Sequence, residues 1–386
     1  MLEPLAAFSN HLPIRIRFGD GELARLPEIL AAEGATSTVV VIDRAVSTLD
    51  PIVKALAACP GATTLWIKEG GEPTTDEVAD CAAVMASVSA DACVAIGGGS
   101  AIDTAKGARL VFGSGRPYAD WMAGKGTYVE SPVLFVTIPT TSGTGSEVSG
   151  GIVVTDSATH HKVGIAHPTV RAKHAIVDPE LTWGLPAVPT ANAGIDAIAQ
   201  AIAAVAVTAR SPIGNAIAFE AIRYGLEALP VVVRDGSDRG GRSRMAACSL
   251  LAGMCMNIAD CGSEHSIAQA LGGRYGLPHG LTIGLVMAET MDIDRLAEPA
   301  LFERIADAMG APDDGSKDGS RAVTAARDLL REIGFPTLRA SGVAYDDLPE
   351  LADAAMHDYF ITVAPYAWTA TDVLAAYHAA WAIEAR

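Results

Sequence analysis

Residues 94–107 read VAIGGGSAIDTAKG. An apolar, strand-like run ends in three glycines and a serine, and a helix-like segment then opens through Asp103 and Lys106. Glycines at such a junction let backbone N–H groups approach a phosphate at the positive end of a helix. A tight strand-to-helix turn that needs glycine for its own sake fits the same residues. The glycine spacing is not GxGxxG, and the loop follows the fourth apolar run rather than the first, so this is not the usual Rossmann turn.

On the N-terminal side the same β–α alternation repeats. The runs IRIRF, STVVVID, TTLWI and ACVAI are separated by GELARLPEILAAEG, RAVSTLDPIVKALAAC and TDEVADCAAVMASV, which have helical composition. Strands separated by helices of that length build a parallel sheet. VLFVTIPT and GGIVVTD are expected to extend it. Past DPELTWGLP the strand signals vanish and windows rich in Ala, Leu and Ile continue to the end, with Pro179 and Pro186 punctuating the change. The fold expected is an α/β N-terminal domain with a parallel sheet, residues 1–183, and an all-α C-terminal domain, residues 184–386. A length of 386 residues suits two domains. APDDGSKDGS at 311–320 reads as a surface loop.

Composition narrows the function classes. Hydrophobic residues make up 50% of the chain and charged ones 19%, enough apolar material for large cores and too much for disorder. A net charge of −17 leaves no basic stripe to neutralise phosphates, which excludes a nucleic-acid partner. An anionic substrate would need a local cation, and Arg274, beside a histidine motif, is the candidate. Cysteines 59, 81, 93, 248, 255 and 261 show no CxxC spacing and read as buried reduced thiols. No signal-peptide pattern and no apolar run of membrane-spanning length occur, so a soluble cytoplasmic protein with no membrane partner is expected.

Three further stretches carry chemistry. In VVVID, residues 39–43, Asp43 ends a strand. There it suits the ribose hydroxyls of NAD and repels the 2′-phosphate of NADP, although Arg44 pulls the other way and a helix-capping role fits equally. TIPTTSGTGSEVSG, residues 137–150, offers hydroxyl and N–H donors without bulk, as a cofactor loop or a solvated connector. GIDAIAQ, residues 194–200, places Asp196 and Gln200 four apart on one helix face. His265 opens HSIAQALGG and His279 lies in LPHGLTIG. One carboxylate, two imidazoles and an amide oxygen make a divalent-metal site of modest affinity, and hydrogen-bonded structural histidines are the other reading.

Taken in order, GGGSAIDTAK, TIPTTSGTGSEV, VDPELTWGLP, GIDAIAQAI and GRYGLPHG resemble the iron-dependent, or group III, alcohol dehydrogenases, whose architecture the dehydroquinate synthases share. The resemblance covers most of the chain, to about residue 290. It implies a dinucleotide-binding first domain, a helical metal and substrate domain, and a cleft between them where NAD(H), rather than NADP(H), meets a small alcohol or aldehyde. It implies a homodimer, and a divalent metal, Fe2+ or Zn2+, on Asp196, Gln200, His265 and His279. The cofactor falls to Asp43, Gly97, Gly98, Gly99, Ser100, Asp103, Thr140, Thr141, Thr144 and Lys162. Catalysis falls to His265, His279 and Gln269.

The chain departs from that pattern at telling places. The family histidine at the second ligand position is Gln200, and the histidine four residues after the third ligand, linked to proton relay, is Gln269. An amide oxygen is a poorer donor to Fe2+ or Zn2+ than an imidazole, and an amide cannot titrate. Glu72-Pro73 replaces Asn-Pro, Glu289 stands where a histidine often does, and HDYFITVAPYAWTATDV matches loosely. A metal-independent carbonyl reductase of maleylacetate-reductase type and a non-catalytic dinucleotide-binding paralogue are therefore the alternatives. A synthase acting on a polyanion would need more cations than Arg274.

Overall fold

The structure, a computed structural model, describes residue 8 and residues 10–383. Its strands are β1 (Arg15–Phe18), β2 (Ser37–Asp43), β3 (Ala62–Lys68), β4 (Ala92–Gly97), β5 (Leu134–Pro139), β6 (Gly151–Thr155), β7 (Lys162–Ala166) and β8 (His174–Val177). Helices α1 (Leu26–Ala32), α2 (Asp50–Ala57), α3 (Thr75–Ser87), α4 (Gly99–Ser114) and α5 (Ala119–Met122) alternate with them. These elements belong to one compact unit, residues 14–190 together with 235–250.

Six strands pair in the order β1-β8-β5-β4-β2-β3, and every neighbouring pair is parallel. Both faces of the central strands are buried, which is why they read as unbroken apolar runs. Val40, Ile42, Val94, Ile96, Val136 and Ile138 pack with Leu26, Leu30 and Ile52. Val39, Val41, Cys93, Ala95 and Phe135 turn the other way, onto Cys81, Met85 and Ile102. Helix α3 starts on a capping box, Thr74 with Glu77, as the sequence TTDE allows.

GGIVVTD does not extend this sheet. Its strand, β6, runs antiparallel to β7 in a separate two-stranded sheet. The turn between them, with His160 at φ 58°, is too short for the crossover that a parallel partner demands. The place between β1 and β5 is taken instead by β8, HAIV, a four-residue strand too short to stand out in the sequence.

After β8 no strand follows among the described residues. Helices α6 (Ala187–Ala206), α7 (Pro212–Arg234), α8 (Arg239–Met256), α9 (Ser263–Tyr275), α10 (His279–Asp294), α11 (Pro299–Ala308), α12 (Ser320–Glu332), α13 (Leu348–Ala355) and α14 (Ala370–Ala382) fill the remainder. The second compact unit is built from residues 191–234 and from 251 onward, so the division passes within α6 and again within α8. The expected boundary after residue 183 precedes α6. The polar loop between α11 and α12 is present, with Asp313, Asp314 and Asp318 each accepting a backbone N–H two residues on.

One close approach sets the position of α10 in this unit. A Cβ at Gly280 would overlap the backbone carbonyl of Asn192 on α6, so only glycine lets the first turn of α10 lie against α6. Gly280→Ala is expected to cost about 1–3 kcal/mol of stability, the usual range for overpacking, measured by urea unfolding. An unchanged midpoint would show that the helices separate freely.

Candidate functional site

In the first unit the chain reverses direction across the sheet between β2 and β4: β3 lies outside β2, whereas β4 and β5 continue on its other side. Such a switch point opens a crevice at the carboxyl ends of its two strands. The residues there are Asp43, which ends β2, and Gly97 and Gly98, which follow β4 into α4. Asp43 Oδ2 accepts the Gly98 N–H at 2.7 Å. Gly97 backs directly on that carboxylate, leaving no room for a Cβ. Burial pushes the Asp43 carboxyl up, while the Gly98 amide and Lys68 pull it back.

Helix α4 then begins at Gly99 with no side chain capping it, so its dipole and first amides face the loop. β5 runs in register with β4 up to Gly97 opposite Pro139. That pairing carries the Thr/Ser loop to the same place: the Thr140 N–H donates to the Gly97 carbonyl at 3.0 Å, Thr141 lies beside Gly98, and Thr144 beside Gly99. Asp43, Gly97, Gly98, Gly99, Thr140, Thr141 and Thr144 are thus brought together, with Ser100 in the first turn of α4.

Asp103 and Lys162 are engaged elsewhere. Asp103 accepts the Ser146 hydroxyl at 2.5 Å and the Val153 N–H at 2.8 Å. The buried Lys106 donates to Ser146, Ser149 and the Gly151 carbonyl. Together they brace the Thr/Ser loop from behind. Lys162 Nζ lies 3.2 Å from Glu72, the residue of the departed Asn-Pro position.

In the second unit, Asp196 on α6, His265 on α9 and His279 at the start of α10 converge, with one donor atom from each within 4.8 Å of the others. Asp196 Oδ1 is 3.5 Å from His279 Nε2 and 3.7 Å from His265 Nε2. Those separations are too long for hydrogen bonds. They match the spacing of about 3.4 Å between two donors held tetrahedrally at ~2.1 Å from a shared ion. Asp196 and His265 are buried, and His279 is partly open.

Gln200, one helical turn beyond Asp196, is 3% exposed, and its Oε1 is buried without a hydrogen-bond partner. An orphaned buried oxygen costs about 1–3 kcal/mol, which a cation beside it would offset. Gln269 lies half-buried on α9 one turn after His265, on the same helix face. Phe360, from the loosely matching HDYFITV segment, meets the His265 ring edge-on at 5.9 Å.

The sequence reading passed over Glu264. Its Oε1 lies 2.6 Å from His265 Nδ1. The signal was the acid directly before the histidine in GSEHS. Burial disfavours charging His265, yet its pKa stands well above that of a free imidazole, with Cys261 and Glu264 beside the ring. Burial holds the Cys261 thiol protonated, so Glu264 is the group that favours the charged ring.

Two other candidates are engaged in ion pairs. Glu289 is buried and clamped by Arg327 through contacts of 3.1 and 2.7 Å. Arg274 is half-exposed, 3.7 Å from Asp347, to which Tyr275 also donates. Among the described residues five cysteines are buried and Cys59 is half-buried, and none is in a disulfide. Arg274→Ala is expected to leave steady-state kinetics with sulfonated or carboxylated aldehydes unchanged and to alter stability by no more than about 1 kcal/mol, the range of exposed ion pairs. A raised KM for the anionic substrates alone would give Arg274 a role in binding.

Comparison with known proteins agrees with both halves of this arrangement. Residues 13–179 match the family described as iron-containing alcohol dehydrogenase, and residues 190–381 match the family described as Fe-containing alcohol dehydrogenase, C-terminal. The NAD-dependent methanol dehydrogenase of Bacillus methanolicus is 31% identical over 363 residues, covering 92% of this chain and 95% of that one. A crystal structure of 1,3-propanediol oxidoreductase superposes with a TM-score of 0.92 at 30% identity, covering 97% of this chain and all of that one. The sulfoacetaldehyde reductase of Bifidobacterium kashiwanohense, solved in complex with NAD+, gives a TM-score of 0.91 at 25% identity over 98% of this chain and all of that one. The glycine loop at the switch point and the Asp–His–His cluster therefore stand in a known context: this chain belongs to the iron-containing alcohol dehydrogenase family.

Proposed function

We propose that the chain is an NAD(H)-dependent dehydrogenase that interconverts a small alcohol with its aldehyde or ketone, with one divalent cation, Fe2+ or Zn2+, held by Asp196, Gln200, His265 and His279. The observation that carries the cation assignment is the buried Asp196 oxygen facing two imidazole nitrogens at 3.5 and 3.7 Å. The family implies both NAD(H) and a divalent metal. When bound, they supply Lewis acidity at the substrate oxygen and hydride exchange at the nicotinamide.

The protein's own groups bind and orient. The uncapped start of α4, with Gly98, Gly99 and Ser100, suits a pyrophosphate. Thr141 and Thr144 border it. Asp43, anchored by one oxygen to Gly98, suits the adenosine ribose and disfavours a 2′-phosphate. Gln269 can orient by hydrogen bonding but cannot accept the proton an alcohol releases, which leaves that proton to solvent or another side chain. His265 would bind a cation through an unprotonated Nε2, so metal affinity would fall as pH is lowered.

A homodimer is expected to form along the outer edge of β1, whose four residues are exposed and which, among the described residues, pairs on one side only. Cysteines that form no disulfide among the described residues suit a reducing cytoplasm. No helix among the described residues is long and apolar enough to cross a membrane.

Metal analysis of the purified protein, with NADH-linked activity followed through chelation and metal return, tests the cation assignment. Stoichiometric metal with activity that tracks it is expected, and Asp196→Ala is expected to lose both. Full activity without metal would instead support the metal-independent reductase, which the two amides at Gln200 and Gln269 favour. NADH binding without turnover of any alcohol or aldehyde would support the non-catalytic paralogue. Asp43→Asn is expected to weaken NADH binding about tenfold, ~1.4 kcal/mol, and to narrow the preference over NADPH in fluorescence titrations. An unaltered preference would remove Asp43 from the ribose site.

A further inference from the structure

We infer that Glu264 is a positioning residue for the cation site: its carboxylate holds the ring of His265 with Nδ1 bonded and Nε2 turned toward Asp196, which strengthens this ligand where Gln200 is weak. The inference rests on the cation reading given above. Its starting point is the 2.6 Å contact between Glu264 Oε1 and His265 Nδ1. Neighbouring residues on a helix do not normally face each other. Here the contact forms because both sit in the first turn of α9, where the Glu264 side chain folds back over the helix start and also accepts the Gly262 N–H at 3.3 Å.

The surroundings are shaped for that carboxylate. A Cβ at Gly262 would stand 2.6 Å from Glu264 Oε2, so the residue two places earlier must be glycine for the carboxylate to occupy its place. Ala199 and Ala203 on α6, with Met287, Met291, Thr290 and Asp294 on α10, line the small cavity beside it. Glu264 is 7% exposed, and among the described residues no lysine or arginine forms an ion pair with it. A carboxylate with no cationic side chain paired to it, in a largely apolar wall that also holds the Asp294 carboxylate, is costly, and a leucine of similar size would serve packing better. Its shortest polar contact is the histidine ring, at 2.6 Å, beside the Gly262 N–H at 3.3 Å.

The chemistry follows from the tautomer. An imidazole that donates Nδ1–H to a carboxylate presents the Nε2 lone pair to a cation, and the carboxylate makes that nitrogen more basic. Phe360, edge-on to the ring at 5.9 Å, limits its rotation from another side. In a donor group whose second member is an amide, a firmly held third member is where affinity is recovered.

The experiment uses full-length apoprotein and Zn2+, with affinity measured by competition against a chromophoric chelator for wild type, Glu264→Gln and Glu264→Leu. The visible spectrum of the Co2+ forms is recorded in parallel. Glu264→Leu is expected to weaken Zn2+ binding about 10- to 100-fold and to shift the Co2+ bands. Glu264→Gln, whose amide oxygen still accepts Nδ1–H, is expected to recover part of the loss. The thermal midpoints of both apoproteins should not fall. Wild-type affinity in both variants, or a lowered midpoint with unchanged affinity, would overturn the inference and leave the cation site standing. If Glu264→Leu does not fold, Glu264→Gln decides, since wild-type affinity and an unshifted Co2+ spectrum there would overturn it too. No binding of Zn2+ or Co2+ by the wild type would be a different result, overturning the cation reading and this inference together.

Discussion

A carboxylate carried into a protein interior on a helix of alanines and isoleucines must find a positive partner. Asp196 is 2% exposed on α6, and the groups facing it are the Nε2 atoms of His265 and His279. Much of the helical unit can be understood as the means of bringing those three together. The glycine of LPHG lets α10 press against α6 and so delivers His279. The glycine of CGSEH lets Glu264 fold back and so fixes His265. Separations just beyond hydrogen-bond length leave an arrangement that a shared cation completes better than direct bonding does.

The parallel sheet imposes a comparable constraint on the other unit. Because β3 and β4 leave β2 on opposite sides, the ends of β2 and β4 flank a crevice that no strand connection crosses. Asp43 and the Gly97–Gly98 turn meet there through one hydrogen bond. The loop after β5 is held against them by Thr140 in front and by Lys106 and Asp103 behind. Thr141 and Thr144 thereby stand beside the glycines of the turn.

The chain belongs to the iron-containing alcohol dehydrogenases yet carries amides at two places where that family's pattern has imidazoles. Gln200 presents a buried oxygen with no hydrogen-bond partner. Gln269 keeps a place on the α9 face without a titratable group. Neither change disturbs the convergence of the remaining three donors. Glu264, one residue before His265, adds a carboxylate against the ring of one of them.

The sequence by itself determined the alternation of strands and helices, the change to an all-helical unit, the glycine loop after the fourth strand and the placing of Asp196 and Gln200 one turn apart on one helix. Each depends on residues within a few positions of one another, where periodicity, turn chemistry and helical spacing act. It also supplied the family through motif order. Only the tertiary structure decided what depends on distant partners. It gave β8 rather than GGIVVTD a place in the parallel sheet, bound Asp103 to the loop brace, tied Glu289 to Arg327 and Arg274 to Asp347, and set Glu264 against His265. A charged side chain carries no mark in the sequence of which opposite charge it will meet. That choice is made by packing, and it separates a residue that holds the fold from one that serves the site.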